Sequence, residues 1–149
     1  KPWCRLYIAP ETKTPLTFGL SARRSRVLLP QKDYTEDELR LILRHELVHI
    51  RRNDLSAKLF YVFTKSLGWF HPLVWLGYIL LCRDIELACD EKVVRQMETP
   101  EKAAYSQALL NCSLPRRMVT ACPLAFGESG VKERVRGILN YRRPSFRRR

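Results

Sequence analysis

The segment from Leu59 to Cys82, LFYVFTKSLGWFHPLVWLGYILLC, is the most apolar in the chain, and Lys65 is its one charge. A transmembrane helix needs about 20 apolar residues, so the segment is long enough to be weighed as a span. Gly68, His71 and Pro72 interrupt it near the middle. It therefore either crosses a bilayer once or folds back as a helical hairpin that turns between Gly68 and Pro72. The choice decides whether the residues on either side of it can meet.

Those flanks carry the chemistry. Ahead of the apolar segment lies YTEDELRLILRHELVHIRR, in which Thr35 and Glu38 match a capping box and Tyr34 can staple against Leu39. At 100° per residue Arg40, Arg44 and Arg51 fall on one stripe, and Leu39, Ile42, Leu43, Val48 and Ile50 cover the rest. That pattern predicts a helix that is mostly buried, with His45, Glu46 and His49 opposite the arginines. Two histidines four residues apart differ by about 40° in direction, so both rings can reach one ion. Zinc suits imidazole nitrogen, and Glu46 stands one step round the helix, placed to take a proton from an attacking water without ligating the metal. The structural alternative is a pair of hydrogen-bonded core histidines.

A catalytic zinc requires a third protein ligand and an open position. In RDIELACDEKVVRQM a helical projection puts Glu86, Asp90, Val93 and Met97 on one face, with Asp84, Glu91 and Arg95 pointing away. An inward carboxylate is costly to bury unless it is paired or metal-bound, which favours Glu86 as ligand. Asp90, one turn on, is placed to hold the second ring nitrogen of a ligating histidine. A simple ion pair between Glu86 and Arg83 is the alternative. Cys89 is a weaker ligand candidate, and His71 reads as interfacial. If His49 and Glu86 share one ion, a single crossing is excluded, because a hydrocarbon layer of about 30 Å would separate them. A hairpin brings both arms back to one level, with Trp69, Phe70 and Trp75 at an aromatic tip suited to a membrane interface or to a partner's apolar surface.

The remaining sequence predicts a mainly α fold with a small β element (α+β). PLTFGL and RVLLP read as two short strands of a hairpin joined by the basic turn SARRS. A further helix is expected in TPEKAAYSQALLNCS and a short basic one near VKERVRGILNYRR, after a loop around Pro115 to Gly130. The 149 residues fit one domain, 1–149, and the opening at Lys1 and the closing arginine run are expected of a piece of a longer protein. Net charge is +12, concentrated after Val131, which directs the chain towards polyanions or an anionic membrane face. No aromatics interleave with the basic run and no zinc-finger spacing appears, so direct nucleic-acid binding is not expected. Five unpaired-looking cysteines, Cys4, Cys82, Cys89, Cys112 and Cys122, favour a reducing compartment.

HELVH followed by ELACD, with Asp54 five after the second histidine, FHPLVW between them and ERVRGILNYRRPSF after them, resembles the BlaR/MecR-type antirepressor metallopeptidases. More distantly, the two helices look like those of gluzincin peptidases. The resemblance runs from about Pro15 to Phe146 and implies a zincin-like domain with a hydrophobic helical hairpin between its two metal-binding helices. It implies His45, His49 and Glu86 as ligands of Zn2+, Glu46 as general base and Asp90 behind a ligating histidine. It also implies a site on the cytoplasmic side of a bacterial cell membrane, and a zinc endopeptidase that cleaves a repressor or its own C-terminal linker. Because related transducers cut themselves and gluzincins accept an apolar residue after the cut, Ser145–Phe146 is the bond named for self-cleavage. The oxyanion-stabilising residue is open among Tyr105, Arg83 and Arg95. Two rival readings remain at this level: a housekeeping membrane peptidase of the heat-shock type, and a non-catalytic basic module, binding a membrane surface or nucleic acid, whose zinc is structural.

Overall fold

A computed structural model describes residues 5–12, 14–19, 25–113 and 128–142. Three short strands, β1 (Arg5–Ile8), β2 (Leu16–Phe18) and β3 (Arg26–Leu29), precede five helices: α1 (Glu36–Arg52), α2 (Asp54–Leu67), α3 (Pro72–Val94), α4 (Thr99–Ser113) and α5 (Glu128–Leu139). The fold is therefore mainly α with a small sheet, as composition and periodicity predict. The two strands expected to pair from the sequence do so, within a larger sheet. β2 pairs antiparallel with β3, but β1 adds to the other side of β3 in parallel, giving the order β1-β3-β2. β1 escapes sequence reading because all four of its residues are exposed, so it has no buried alternating face to reveal it. Of the turn SARRS only Ser25 lies among the described residues.

α1 starts where the capping box places it. Thr35 Oγ1 accepts from the Glu38 amide and the Glu38 carboxylate accepts from the Thr35 amide. Its burial is less than the periodicity predicts: Ile42 and Glu46 are fully buried, and Leu39, Leu41, Leu43, His45, Val48 and His49 are half-buried. The cause is the thinness of the layer it meets, since the strands that cover it are three or four residues long. α1 ends at Asn53, which takes left-handed backbone (φ 57°) and donates its amide to the His49 and Ile50 carbonyls. Asparagine tolerates that conformation with little penalty. α2 begins at the next residue, so Asp54 is swung back over the last turn of α1.

α2 and α3 pack side by side and are joined through Gly68 to His71. The Tyr61 hydroxyl donates to the Val74 carbonyl, and Lys65 lies over the Trp75 ring, its Nζ 3.8 Å from the centroid. A Cβ at Gly77 would sit 2.1 Å from the Tyr61 hydroxyl, so glycine is required for this approach. His71 is the N-cap of α3, its Nδ1 accepting from the Leu73 amide, and Pro72 occupies the first helical position, where its missing N–H costs nothing. The outer surface of the pair is apolar: Phe60, Trp69 and Phe70 are 73%, 69% and 72% exposed. Among the described residues, no helix is long and apolar enough to cross a membrane.

Two clusters form the core. One joins Val27 and Leu29 of β3 to Ile42 of α1, with Tyr34, Leu39 and Cys112 packed around them. The other joins Cys89, Val93, Val94 and Met97 of the α3 end to Tyr105 of α4 and Ile138 of α5, with Leu41 and Val48 of α1 against it. The candidate site lies where these layers meet, between α1 and the middle of α3.

Candidate metal centre

α1 presents His45 and His49 towards α3, and their Nε2 atoms stand 3.0 Å apart with the rings nearly perpendicular. From α3, Glu86 brings Oε2 to 3.6 Å from His45 Nε2 and 3.7 Å from His49 Nε2. Tetrahedral zinc with bonds of about 2.0–2.1 Å has ligand atoms about 3.3 Å apart, so this triangle has the size of one face of such a shell. Of the acids and histidines read from the sequence, these three converge on a point. Arg83, the alternative partner of Glu86, is elsewhere: it pairs with Glu133 of α5 at 2.5 Å.

The far side of each imidazole is occupied. His49 Nδ1 faces Asp54 Oδ2 at 2.7 Å, and Asp54 is buried and held in turn by Arg52 Nε at 3.1 Å. His45 Nδ1 faces the Tyr105 hydroxyl at 2.7 Å and Asp90 Oδ1 at 3.3 Å. The Tyr105 hydroxyl donates its own proton to Asp90 Oδ1 at 2.7 Å, so towards His45 it is an acceptor. Both Nδ1 atoms are therefore donors. In neutral rings both Nε2 atoms then carry lone pairs, directed at each other across 3.0 Å. A shared proton or a metal cation between them relieves that repulsion. The donor set, two imidazoles and a carboxylate, fits zinc.

Electrostatics point the same way. Burial disfavours charge on His49, but the Cys89 sulfur and the Glu86 carboxylate outweigh it and raise its pKa to about 10. Burial opposes charge on His45 too, yet Asp90, Cys89 and Glu86 hold it well above the usual value. Burial would raise Glu86, whereas His45, His49 and Arg134 pull it well below the carboxylate range. Asp90 is also desolvated, but Arg134 and His45 bring it down to about 2. Carboxylates buried here stay charged, and positive charge is favoured at the imidazoles.

Cys89 offers a different ligand set, since His45, His49 and Cys89 place donor atoms within 4.8 Å of one another. We favour Glu86 on direction. The Cys89 sulfur lies 3.5 Å from His45 Nδ1, the nitrogen that also faces Tyr105 and Asp90, and hydrogen-bonds the His45 carbonyl at 3.4 Å, whereas Glu86 Oε2 lies beside both Nε2 atoms.

Glu46 is buried beside the pair, and its Oε2 accepts a hydrogen bond from the Thr17 hydroxyl of β2. Thr17, Asp54 and Arg134 were given no role by sequence reasoning. Arg134 of α5 grips Asp90 through Nε (2.6 Å) and Nη2 (2.9 Å) and reaches Glu86 Oε2 through Nη1 at 3.2 Å. Of the three oxyanion candidates, Tyr105 is behind His45 and 2% exposed, Arg83 is tied to α5, and Arg95 lies exposed at the end of α3. Ser145 and Phe146 lie outside the described residues.

Comparison with known proteins places the chain in a family. The profile of the BlaR1 peptidase M56 family matches residues 1–138. The methicillin resistance mecR1 protein of Staphylococcus aureus is 31% identical over 134 residues, which cover 85% of this chain and 23% of that protein. The regulatory protein BlaR1 of Bacillus licheniformis is 28% identical over 144 residues, covering 92% of this chain and 24% of its own length. The chain thus spans about a quarter of the length of these curated relatives.

Proposed function

The chain belongs to the BlaR1 peptidase M56 family, and from that premise we propose that residues 1–149 are the zinc-dependent endopeptidase domain of a bacterial membrane signal transducer. His45, His49 and Glu86 are its metal ligands, Glu46 its general base, and Asp90 the group that fixes His45 from behind. The observation that carries this reading is the pair of facing Nε2 atoms at 3.0 Å, each ring held through Nδ1, with a carboxylate oxygen within 3.7 Å of both.

Bound zinc supplies Lewis acidity to a scissile carbonyl and lowers the pKa of water. The protein does the rest. Asp54, Asp90 and Tyr105 keep each Nδ1 protonated and so leave Nε2 free to ligate. Glu46, aimed by the Thr17 hydroxyl, takes the proton of the attacking water at its carboxylate and returns it to the leaving amine nitrogen. Thr17 lies on β2, whose other side is unpaired among the described residues in the order β1-β3-β2, so an extended substrate added along that edge runs past Glu46. The small sheet against the histidine helix supports a zincin-like fold.

The substrate we assign is protein: a transcriptional repressor, the chain's own linker at Ser145–Phe146, or both. The printed names of the relatives, a regulatory protein and a methicillin resistance protein, support a signalling role. A membrane setting with the site on the cytoplasmic side is supported by the apolar outer surface of α2 and α3 and by the absence of any acid between Leu55 and Arg83.

The test is zinc content and peptide hydrolysis of the purified chain. Wild type should hold one zinc and His45→Ala far less. Glu46→Gln should keep the metal and lose about 10²–10⁴-fold in hydrolysis. Full activity in Glu46→Gln would overturn the general-base assignment. An identical fragment from wild type and Glu46→Gln by mass spectrometry would remove self-cleavage.

A further inference from the structure

The guanidinium of Arg134 uses all three of its nitrogens on two carboxylates one helical turn apart. Nε and Nη2 form a fork on Asp90 at 2.6 and 2.9 Å, and Nη1 touches Glu86 Oε2 at 3.2 Å. That oxygen is the one nearest both imidazoles. Arg134 is buried, so its charge is poorly screened and its fork geometry is fixed. It comes from α5, and meets Asp90 across 44 positions of sequence. Next to Arg134, Glu133 pairs with Arg83 and ties α5 to α3 as well. Ile138, one turn after Arg134, enters the core with Cys89, Val93 and Tyr105, while a cavity of about 430 Å³ opens beside Asp90, Arg134 and Tyr141.

We infer that Arg134 is a positioning residue that aims Glu86 at the two imidazoles, so that the third metal ligand is in place only while this guanidinium grips Asp90 and Glu86. The inference rests on the reading of Glu86 as a ligand. Without the guanidinium, the buried Asp90 carboxylate and the half-buried Glu86 carboxylate stand one turn apart on α3, and Lys58, its Nζ 3.5 Å from Glu86 Oε1, draws Glu86 by the oxygen that is not the one nearest the imidazoles. Glu86 then gains by turning towards water, away from His45 and His49.

The experiment measures zinc affinity of the full chain by competition with a chromophoric chelator at fixed pH, alongside circular dichroism to establish folding. Arg134→Met should bind zinc about 10–100-fold more weakly, the range for loss of a group that orients a ligand. Arg134→Lys, which restores the charge without the fork, should recover part of that loss. Ile138→Ala, which weakens the packing of α5 and leaves the polar contacts in place, should melt earlier and bind zinc as wild type does. Wild-type affinity in folded Arg134→Met would overturn the inference, as would an equal loss in Ile138→Ala. If Arg134→Met does not fold, Asp90→Asn/Arg134→Met is compared with Asp90→Asn alone, which leaves no unpaired carboxylate at position 90. Equal affinities in that pair overturn the inference. Glu86→Ala separates the two levels: if it binds zinc as wild type does, the ligand assignment itself falls, whereas loss in Glu86→Ala with none in Arg134→Met removes only the role of Arg134.

Discussion

Tyr105→Phe distinguishes two jobs for one hydroxyl. Sequence reasoning offers Tyr105 as a group that could stabilise a developing oxyanion, but the fold buries it, 2% exposed, between His45 Nδ1 and Asp90 Oδ1 at 2.7 Å from each. Phenylalanine keeps the ring that packs against Cys89, Val93 and Ile138 and deletes only the oxygen. A hydrogen bond to a charged group contributes about 1.5–3 kcal/mol and a neutral one about 1 kcal/mol. Asp90 Oδ1, 3.3 Å from His45 Nδ1, can take over part of the second bond. The net loss is then about 2 kcal/mol, which for a domain of this size lowers the melting temperature by about 4–8 °C. Because the same oxygen fixes the His45 tautomer, zinc affinity should fall about tenfold. Differential scanning calorimetry of the zinc-loaded protein and chelator competition read the two effects. A variant with wild-type stability and zinc affinity but a depressed kcat would refute this reasoning and return Tyr105 to the open side of the site.

Two further outcomes follow from the same contacts. Asp54→Ala frees His49 Nδ1, which Asp54 Oδ2 holds at 2.7 Å, and should weaken zinc binding about 10–100-fold in the same competition assay; unchanged affinity would show that the ring is oriented without it. Asn111 and the Thr35 amide hold Glu38 below its ordinary pKa of 4.5, so the capping box contributes fully above that value and is lost as pH falls through the lowered one. The melting temperature of wild type should therefore exceed that of Glu38→Gln at pH 6 and converge on it in acid, and a gap that widens in acid would contradict the sign.

Local signals made much of this legible. The capping box at Thr35 and Glu38 starts α1 where the sequence places it, because both partners lie within four residues of each other. The spacing of His45 and His49 and the inward face of Glu86, Asp90, Val93 and Met97 follow from helical geometry, and in the fold Asp90, Val93 and Met97 are buried while Asp84, Glu91 and Arg95 are exposed. What stayed hidden was tertiary. Arg134 sits in a run of basic residues in which nothing local separates it from the exposed Arg136, and only the arrival of Ile138 in the core turns it inward. Thr17 meets Glu46 across 29 positions of sequence. The burial of α1 was overestimated because periodicity marks the apolar face and says nothing about how much protein covers it.

Asp54 reaches His49 through a reversal of backbone handedness. In one continuous helix, residues five apart diverge by about 140° around the axis, and a carboxylate at 54 would look away from the ring at 49. Asn53, at φ 57°, breaks the screw and starts another in a new direction, which turns that divergence into a contact of 2.7 Å. The aim of the His49 imidazole is thus set by the backbone conformation of an exposed residue outside the pair. Amino acids other than those at ease with a positive φ, asparagine and glycine foremost, would strain the backbone at position 53 and loosen that aim.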